Sequence, residues 1–91
     1  VLRLNLRLPG VQSLKQKRGK IKPLLNQLHK RFNVSAAEVA DQDKWQQSTI
    51  AISSISNDGK HIEKLFQSII TSFESDRKDI ELIHDEIEII Y

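Results

Sequence analysis

The residues best suited to chemistry are basic. Five of the eight residues from Lys15 to Lys22 are Lys or Arg, and none of the eight is acidic. Clustered cations bind phosphates because they supply both charge and hydrogen-bond donors. We therefore expect a polyanion site made by Lys15, Lys17, Arg18, Lys20 and Lys22, with the first three side chains fully solvated before binding. The competing interpretation is a solubilising face with no ligand.

The bases are segregated along the chain. Residues 1–37 hold nine Lys or Arg and no Asp or Glu, whereas residues 38–91 hold twelve acids and five bases. The two segments therefore carry +9 and −7, which sum to the net charge of +2. Segregation on this scale favours a basic face, and basic faces attract polyanions.

Other residue types give weaker signals for chemistry. Asp41 and Asp43 share a polar loop, but no nucleophile or base is paired with them in the sequence. His29, His61 and His84 lack the spacing of metal ligands. We expect no catalysis, no metal and no cofactor.

The only tryptophan, Trp45, lies in the same loop as the two aspartates. An aromatic residue in a polar loop is suited to packing or to anchoring a partner. We expect Trp45 to be an interface residue.

The elements that must position these residues follow from hydrophobic periodicity. Residues 1–10 alternate strictly, with leucine at every even position up to Leu8, which predicts a strand that ends at Pro9. Further strands are predicted over 33–41, 47–56 and 79–91, the last with a bulge near His84 and Asp85 because the apolar phase slips there. A second helix is predicted after residues 56–58, with its end near Ser75.

The first helix is the harder prediction. Ser13 and Gln16 form a capping box, and Ile21, Leu24 and Leu28 lie on one helical stripe. A straight helix would carry Gly19 and Pro23 inside it and would turn Lys17 and Arg18 toward that stripe. We therefore expect a short turn at 14–18, a break near Gly19, and a helix over about 20–32.

The element order β-α-β-β-α-β predicts a ferredoxin-like α+β sandwich. Right-handed crossovers place both helices on one face of a four-stranded antiparallel sheet of order 4-1-3-2. The first strand is then central, and its open face presents Arg3, Asn5 and Arg7. We add Arg3 and Arg7 to the candidate phosphate ligands.

Length and composition indicate one domain over residues 1–91. The chain has no cysteine, which excludes disulfides and thiolate sites and fits a reducing, cytoplasmic location. No apolar run approaches the roughly 18 residues of a membrane helix, so we expect no membrane partner.

Four short blocks, "SLKQKR", "RFNVSAAEV", "QDKWQ" and "SND", stand in the order and spacing of the YlxP-like proteins. The chain resembles this small bacterial family of unknown function along nearly its whole length. The resemblance implies a ferredoxin-like sandwich and a link to translation, since family members tend to be encoded beside translation and ribosome-assembly factors. Lys15, Lys17 and Arg18 match the basic block of the family, whereas Gly19 and Lys20 depart from it.

We expect a non-enzymatic module that binds RNA or the ribosome through the basic helix start. One alternative is a protein–protein module that pairs with a second copy, or with another protein, through its open sheet face or an edge strand. Another is a small-molecule regulatory domain. Nucleic-acid binding is separated from the first alternative by its steep dependence on salt.

Overall fold

The computed structural model of the chain describes residues 1–76 and 79–89. Its elements, in chain order, are β1 (Leu2–Arg7), α1 (Leu14–Arg31), β2 (Ser35–Ala40), β3 (Gln47–Ser53), α2 (Gly59–Asp76) and β4 (Glu81–Ile87). The strands form one antiparallel sheet of order β2-β3-β1-β4, which is the predicted order read from its other edge. The predicted ferredoxin-like α+β fold is confirmed.

Strand β1 lies between β3 and β4, and its leucine side chains form part of the hydrophobic core. Leu2, Leu4, Leu6 and the following Leu8 are buried, while Arg3 and its alternate neighbours are exposed. Side chains from both helices join the leucines in one cluster, so α1 and α2 cover the same sheet face. The core predicted from the sequence is confirmed by the burial of the even-numbered leucines of residues 2–8 together with Leu28, Ile69 and Phe73.

Helix α1 runs without a break, so the prediction of a break near Gly19 was wrong. The capping prediction was right, because the Gln16 N–H donates to Ser13 Oγ at 3.0 Å. Pro23 removes one backbone hydrogen bond, but the helix continues since its apolar stripe is buried on both sides of the proline. A continuous helix turns Lys17 inward, as the sequence predicts for a straight helix, and the buried side chain forms an ion pair with Glu38.

The strands are shorter than predicted, and both edge strands are bulged. In β4 the pairing with β1 shifts so that Ile83 is the extra residue, one position before the predicted bulge. In β2 an unpredicted bulge places Val39 outside the ladder with β3. Residues 90 and 91 of the predicted last strand lie outside the described residues.

Helix α2 begins after a polar cap, as predicted. The Lys60 N–H donates to Asp58 Oδ1 at 3.0 Å, and the Asp58 N–H donates to Ser56 Oγ at 3.1 Å. Within residues 1–76 and 79–89, neither helix is long and apolar enough to span a membrane.

Replacing Leu6 by Ala should lower the free energy of unfolding by about 2–5 kcal/mol, because a buried leucine is lost and a cavity remains. Urea denaturation measures this value. Asn5→Ala, on the exposed face of the same strand, is the control and should stay within about 0.5 kcal/mol of the wild type. Equal losses for the two variants would contradict the assigned core face.

Replacing Gly19 by Ala should raise the free energy of unfolding by about 0.5–1 kcal/mol, because alanine favours the helix and the added Cβ meets no atom within 4 Å. Gly10→Ala is the matched control. Gly10 has φ +76°, so alanine there should destabilise by about 1–2 kcal/mol. Destabilisation by Gly19→Ala would instead indicate a break in α1.

Candidate functional site

The exposed side of α1 carries a row of cations. Lys15, Arg18, Lys22 and Lys30 are all exposed and fall within a sector of about 120° around the helix axis. None of these four side chains forms an ion pair with any residue in the described part of the chain. We call this set the basic face of α1.

The basic face has a gap in its middle. Gly19 has no side chain, and the Pro23 ring lies one turn further along the helix. Arg18, Lys22 and Lys30 surround these two residues and line a shallow groove of about 450 Å³. A phosphate backbone could therefore approach the helix closely between the cations. Because α1 contains no Asp or Glu, its own sequence does not offset this charge.

Lys17 does not belong to this surface, and the expectation that it is solvated was wrong. Its side chain is only 2% exposed, and its Nζ lies 2.9 Å from Glu38 Oε2 on β2. The ammonium also donates a hydrogen bond to the backbone carbonyl of Asp41. Ser48 Oγ on β3 donates to the same Glu38 oxygen. Lys17 therefore joins α1 to β2. Because its ammonium is paired with Glu38 and buried, we no longer count Lys17 among the candidate phosphate ligands.

Lys20 is held away from the row as well. Its Nζ lies 3.2 Å from Asp79 Oδ2, in the connection between α2 and β4, and its side chain is about one-third exposed. A phosphate would have to compete with this carboxylate. Lys20 is therefore a weaker candidate than Lys15 or Arg18.

The open sheet face is charge-balanced. Arg3 pairs in register with Glu86 and Arg7 with Glu81, both on β4. The Arg7 Nε lies 4.0 Å from Glu81 Oε2, with both side chains largely exposed, so the pair is weak. The structure thus separates the predicted bases into a neutralised sheet face and an unneutralised helix face.

The loop of residues 41–46 is braced by its first residue. Asp41 has φ 62°, and its carboxylate accepts from Thr49 Oγ1 at 3.0 Å and pairs with Lys44 Nζ at 3.3 Å. The hydrogen bond from Thr49 and the nearby Lys44 lower the pKa of Asp41, although burial opposes them. A lowered pKa means that the carboxylate stabilises the fold at neutral pH and that this contribution is lost as the pH falls through the lowered value.

Trp45 lies in this braced loop. The Leu8 N–H donates to the Gln46 carbonyl at 2.9 Å, and Gln46 Nε2 donates to the Val11 carbonyl at 3.1 Å. These bonds bring the loop to the end of the molecule where α1 begins. The indole is 52% exposed, as an interface residue would be, and its role as a partner anchor stays a prediction.

The histidines lie in three separate places. His29 Nε2 accepts a hydrogen bond from the Ala36 N–H at 3.1 Å, which covers one outward-facing group of edge strand β2. His61 and His84 are exposed on α2 and β4. Among the residues that the structure describes, no three His, Cys, Asp or Glu side chains are grouped as metal ligands.

Comparison with known proteins agrees with the resemblance seen in the sequence. Residues 1–87 match the model of a family described as "Protein of unknown function (DUF503)". The chain belongs to this family. It is also 35% identical over 63 residues to the "Uncharacterized protein YlxP" of Bacillus subtilis (strain 168), a match that covers 69% of this chain and 68% of the relative.

The residue that sequence reasoning misplaced in this DUF503 chain is Lys17. The signal for this residue in the sequence is its position on the apolar side of a continuous α1, which argues against the helix as long as no partner for the ammonium is known. The partner that resolves the conflict, Glu38, is the first acid in the chain and lies on a different element.

Replacing Glu38 by Ala should lower the free energy of unfolding by about 2–4 kcal/mol, because it leaves the buried Lys17 ammonium without its counter-charge. This loss of stability is smaller than the full cost of breaking a buried ion pair, because the Glu38 side chain is 20% exposed and water screens part of the interaction. Urea denaturation measures it.

Lys17→Met is the matched variant, because it keeps the buried length and removes the charge. It should cost less than Glu38→Ala, since the Glu38 carboxylate can still reach water. Combining the two changes should cost less than the sum of the single changes. Strict additivity would mean that the two groups do not interact.

Proposed function

We propose that this DUF503 chain is a cytoplasmic, non-enzymatic module that binds structured RNA, or the RNA surface of the ribosome, through the basic face of α1. The observation that carries the proposal is the row of four exposed cations, Lys15, Arg18, Lys22 and Lys30, unpaired with any carboxylate of the described residues.

Electrostatics favour a polyanion over other ligands. Like charges spaced three or four residues apart on a helix repel one another, and cations near the N-terminal end also oppose the helix dipole. Lys15 lies in the first turn of α1, so both effects act on it, whereas Arg18 lies one turn further along and is subject to the repulsion between like charges. A bound phosphate would reverse the sign of each term. Arg18 can bind a phosphate through two hydrogen bonds, whereas the lysines act as point charges.

Two further observations support RNA over self-association. Both edge strands are bulged, and a bulge disrupts the regular backbone that an added strand would need. On the open sheet face, Arg3 and Arg7 stand opposite two glutamates of β4, and these solvated charges would lose water in a contact between two sheets. The resemblance to YlxP-like proteins, with their genomic link to translation factors, points in the same direction.

The decisive experiment measures binding to ribosomal RNA, or to ribosomes, across a salt series from about 50 to 200 mM. For wild type, log affinity should fall against log salt with a slope of about −2 to −4, as three or four contacts of 0.7–0.9 each predict. Replacing Lys15 and Lys22 together by Ala should flatten the slope by about 1.4–1.8. The fold should be retained because both side chains are exposed.

The matched control replaces Lys60 and Lys64 by Ala, since these are also two exposed lysines on a helix. Its slope should stay at the wild-type value. Equal slopes for wild type and both variants would show that the row is only a solvated face. Association that ignores salt would favour a protein–protein module.

A further inference from the structure

A second groove runs between α1 and edge strand β2, and two cations of the basic face of α1 also line it. Its volume is about 340 Å³. Leu14, Ile21 and Leu25 form its apolar wall, Arg18 and Lys22 stand at its rim, and Gln42 approaches from the braced loop. We call it the α1–β2 groove.

The charge of this groove is confined to its rim. Lys17 and Glu38 also line it, but they are paired with each other at 2.9 Å and leave no net charge in the groove. Arg18 and Lys22 belong to the basic face of α1. The groove is therefore an apolar surface directly bordered by cations that have no partner among the described residues.

A nucleotide has the complementary structure, with a flat and largely apolar base attached to a phosphate. The volume lies at the small end of the range for ligand pockets, about 300–1,000 Å³, which suits one nucleotide unit rather than a larger group. The Gln42 side chain offers both donors and an acceptor to the polar edge of a base. The residue before it, Asp41, anchors the backbone of the loop through Thr49 and Lys44.

We propose that the α1–β2 groove binds one unpaired nucleobase of the RNA, while Arg18 and Lys22 contact the phosphates beside it. This inference rests on the proposed function and narrows its ligand. Bases in a duplex are stacked and cannot enter such a groove, so the RNA must present a loop, a bulge or a single-stranded end.

The test compares three RNAs of about 12 nucleotides, a length that one small binding domain can span. The first is single-stranded, the second has the same backbone without bases, and the third is a duplex. The single strand should bind about tenfold more tightly than the base-free strand at one salt concentration. The salt slopes of the two should agree, because they carry the same phosphates.

Two variants each truncate one side chain that lines the groove and leave Arg18 and Lys22 in place. Leu25→Ala shortens the apolar wall, and Gln42→Ala removes the group facing the base edge. Each should reduce the preference for the strand with bases by several-fold while keeping the salt slope. The controls are Leu65→Ala, a partly buried leucine of α2, and Gln67→Ala, an exposed glutamine of α2, and neither should change the preference.

Methyl NMR locates the contact independently. Adding the single strand should shift the Leu14 and Leu25 methyl signals and leave those of Leu65 unmoved.

If binding depends on salt but the base-free strand binds equally well, the groove proposal is overturned and the proposed function stands. If no RNA binds in a salt-dependent manner, both fail. If an acidic peptide shifts these methyls and the RNA does not, the occupant is a protein and the groove proposal is overturned.

Discussion

The buried ammonium of Lys17 lies on the same inward side of α1 as the apolar stripe of Ile21, Leu24 and Leu28, so the polar contact and the stripe require one orientation of the helix. That group has to lie against Glu38 and the Asp41 carbonyl, since an unpaired charge among leucines would be costly. Once Lys17 points inward, the helical repeat turns Lys15, Arg18 and Lys22 outward. The inward side of α1, which holds Lys17 and the apolar stripe, therefore determines where the other cations lie. The contact between Lys17 and the Asp41 carbonyl also attaches the 41–46 loop to the helix.

The basic residues of the sheet, unlike those of α1, lie beside acidic residues. Arg3 and Arg7 lie on the central strand, where β4 supplies a glutamate opposite each. Helix α1 has no acidic strand beside its exposed face. The segregation seen along the sequence thus becomes a segregation between two surfaces of the fold, of which one is neutralised by its neighbour and the other is not.

The sequence predicted the fold well and the site only in part, for physical reasons. The alternation in residues 1–8 and the apolar stripe of α2 are local periodic signals, and burial in the structure follows both. The continuity of α1 was missed because propensity weighs against Gly19 and Pro23 locally, whereas the packing that outweighs it comes from other elements. The pairing of Lys17 with Glu38 and the bulge at Val39 depend on contacts between elements, which local patterns do not encode.

The pairing of β1 with β4 delays the completion of the sheet during folding. Leu2 pairs with Ile87, and the Glu88 N–H donates to the Val1 carbonyl at 2.8 Å, so the central strand is completed by nearly the last described residues. Closing so long a loop carries an entropic cost before any contact repays it. During synthesis, the backbone edge of β1 that pairs with β4 must wait for β4 to emerge. The nascent domain is thus committed to its native topology late, and until then this edge of β1 is open to pairing with another strand.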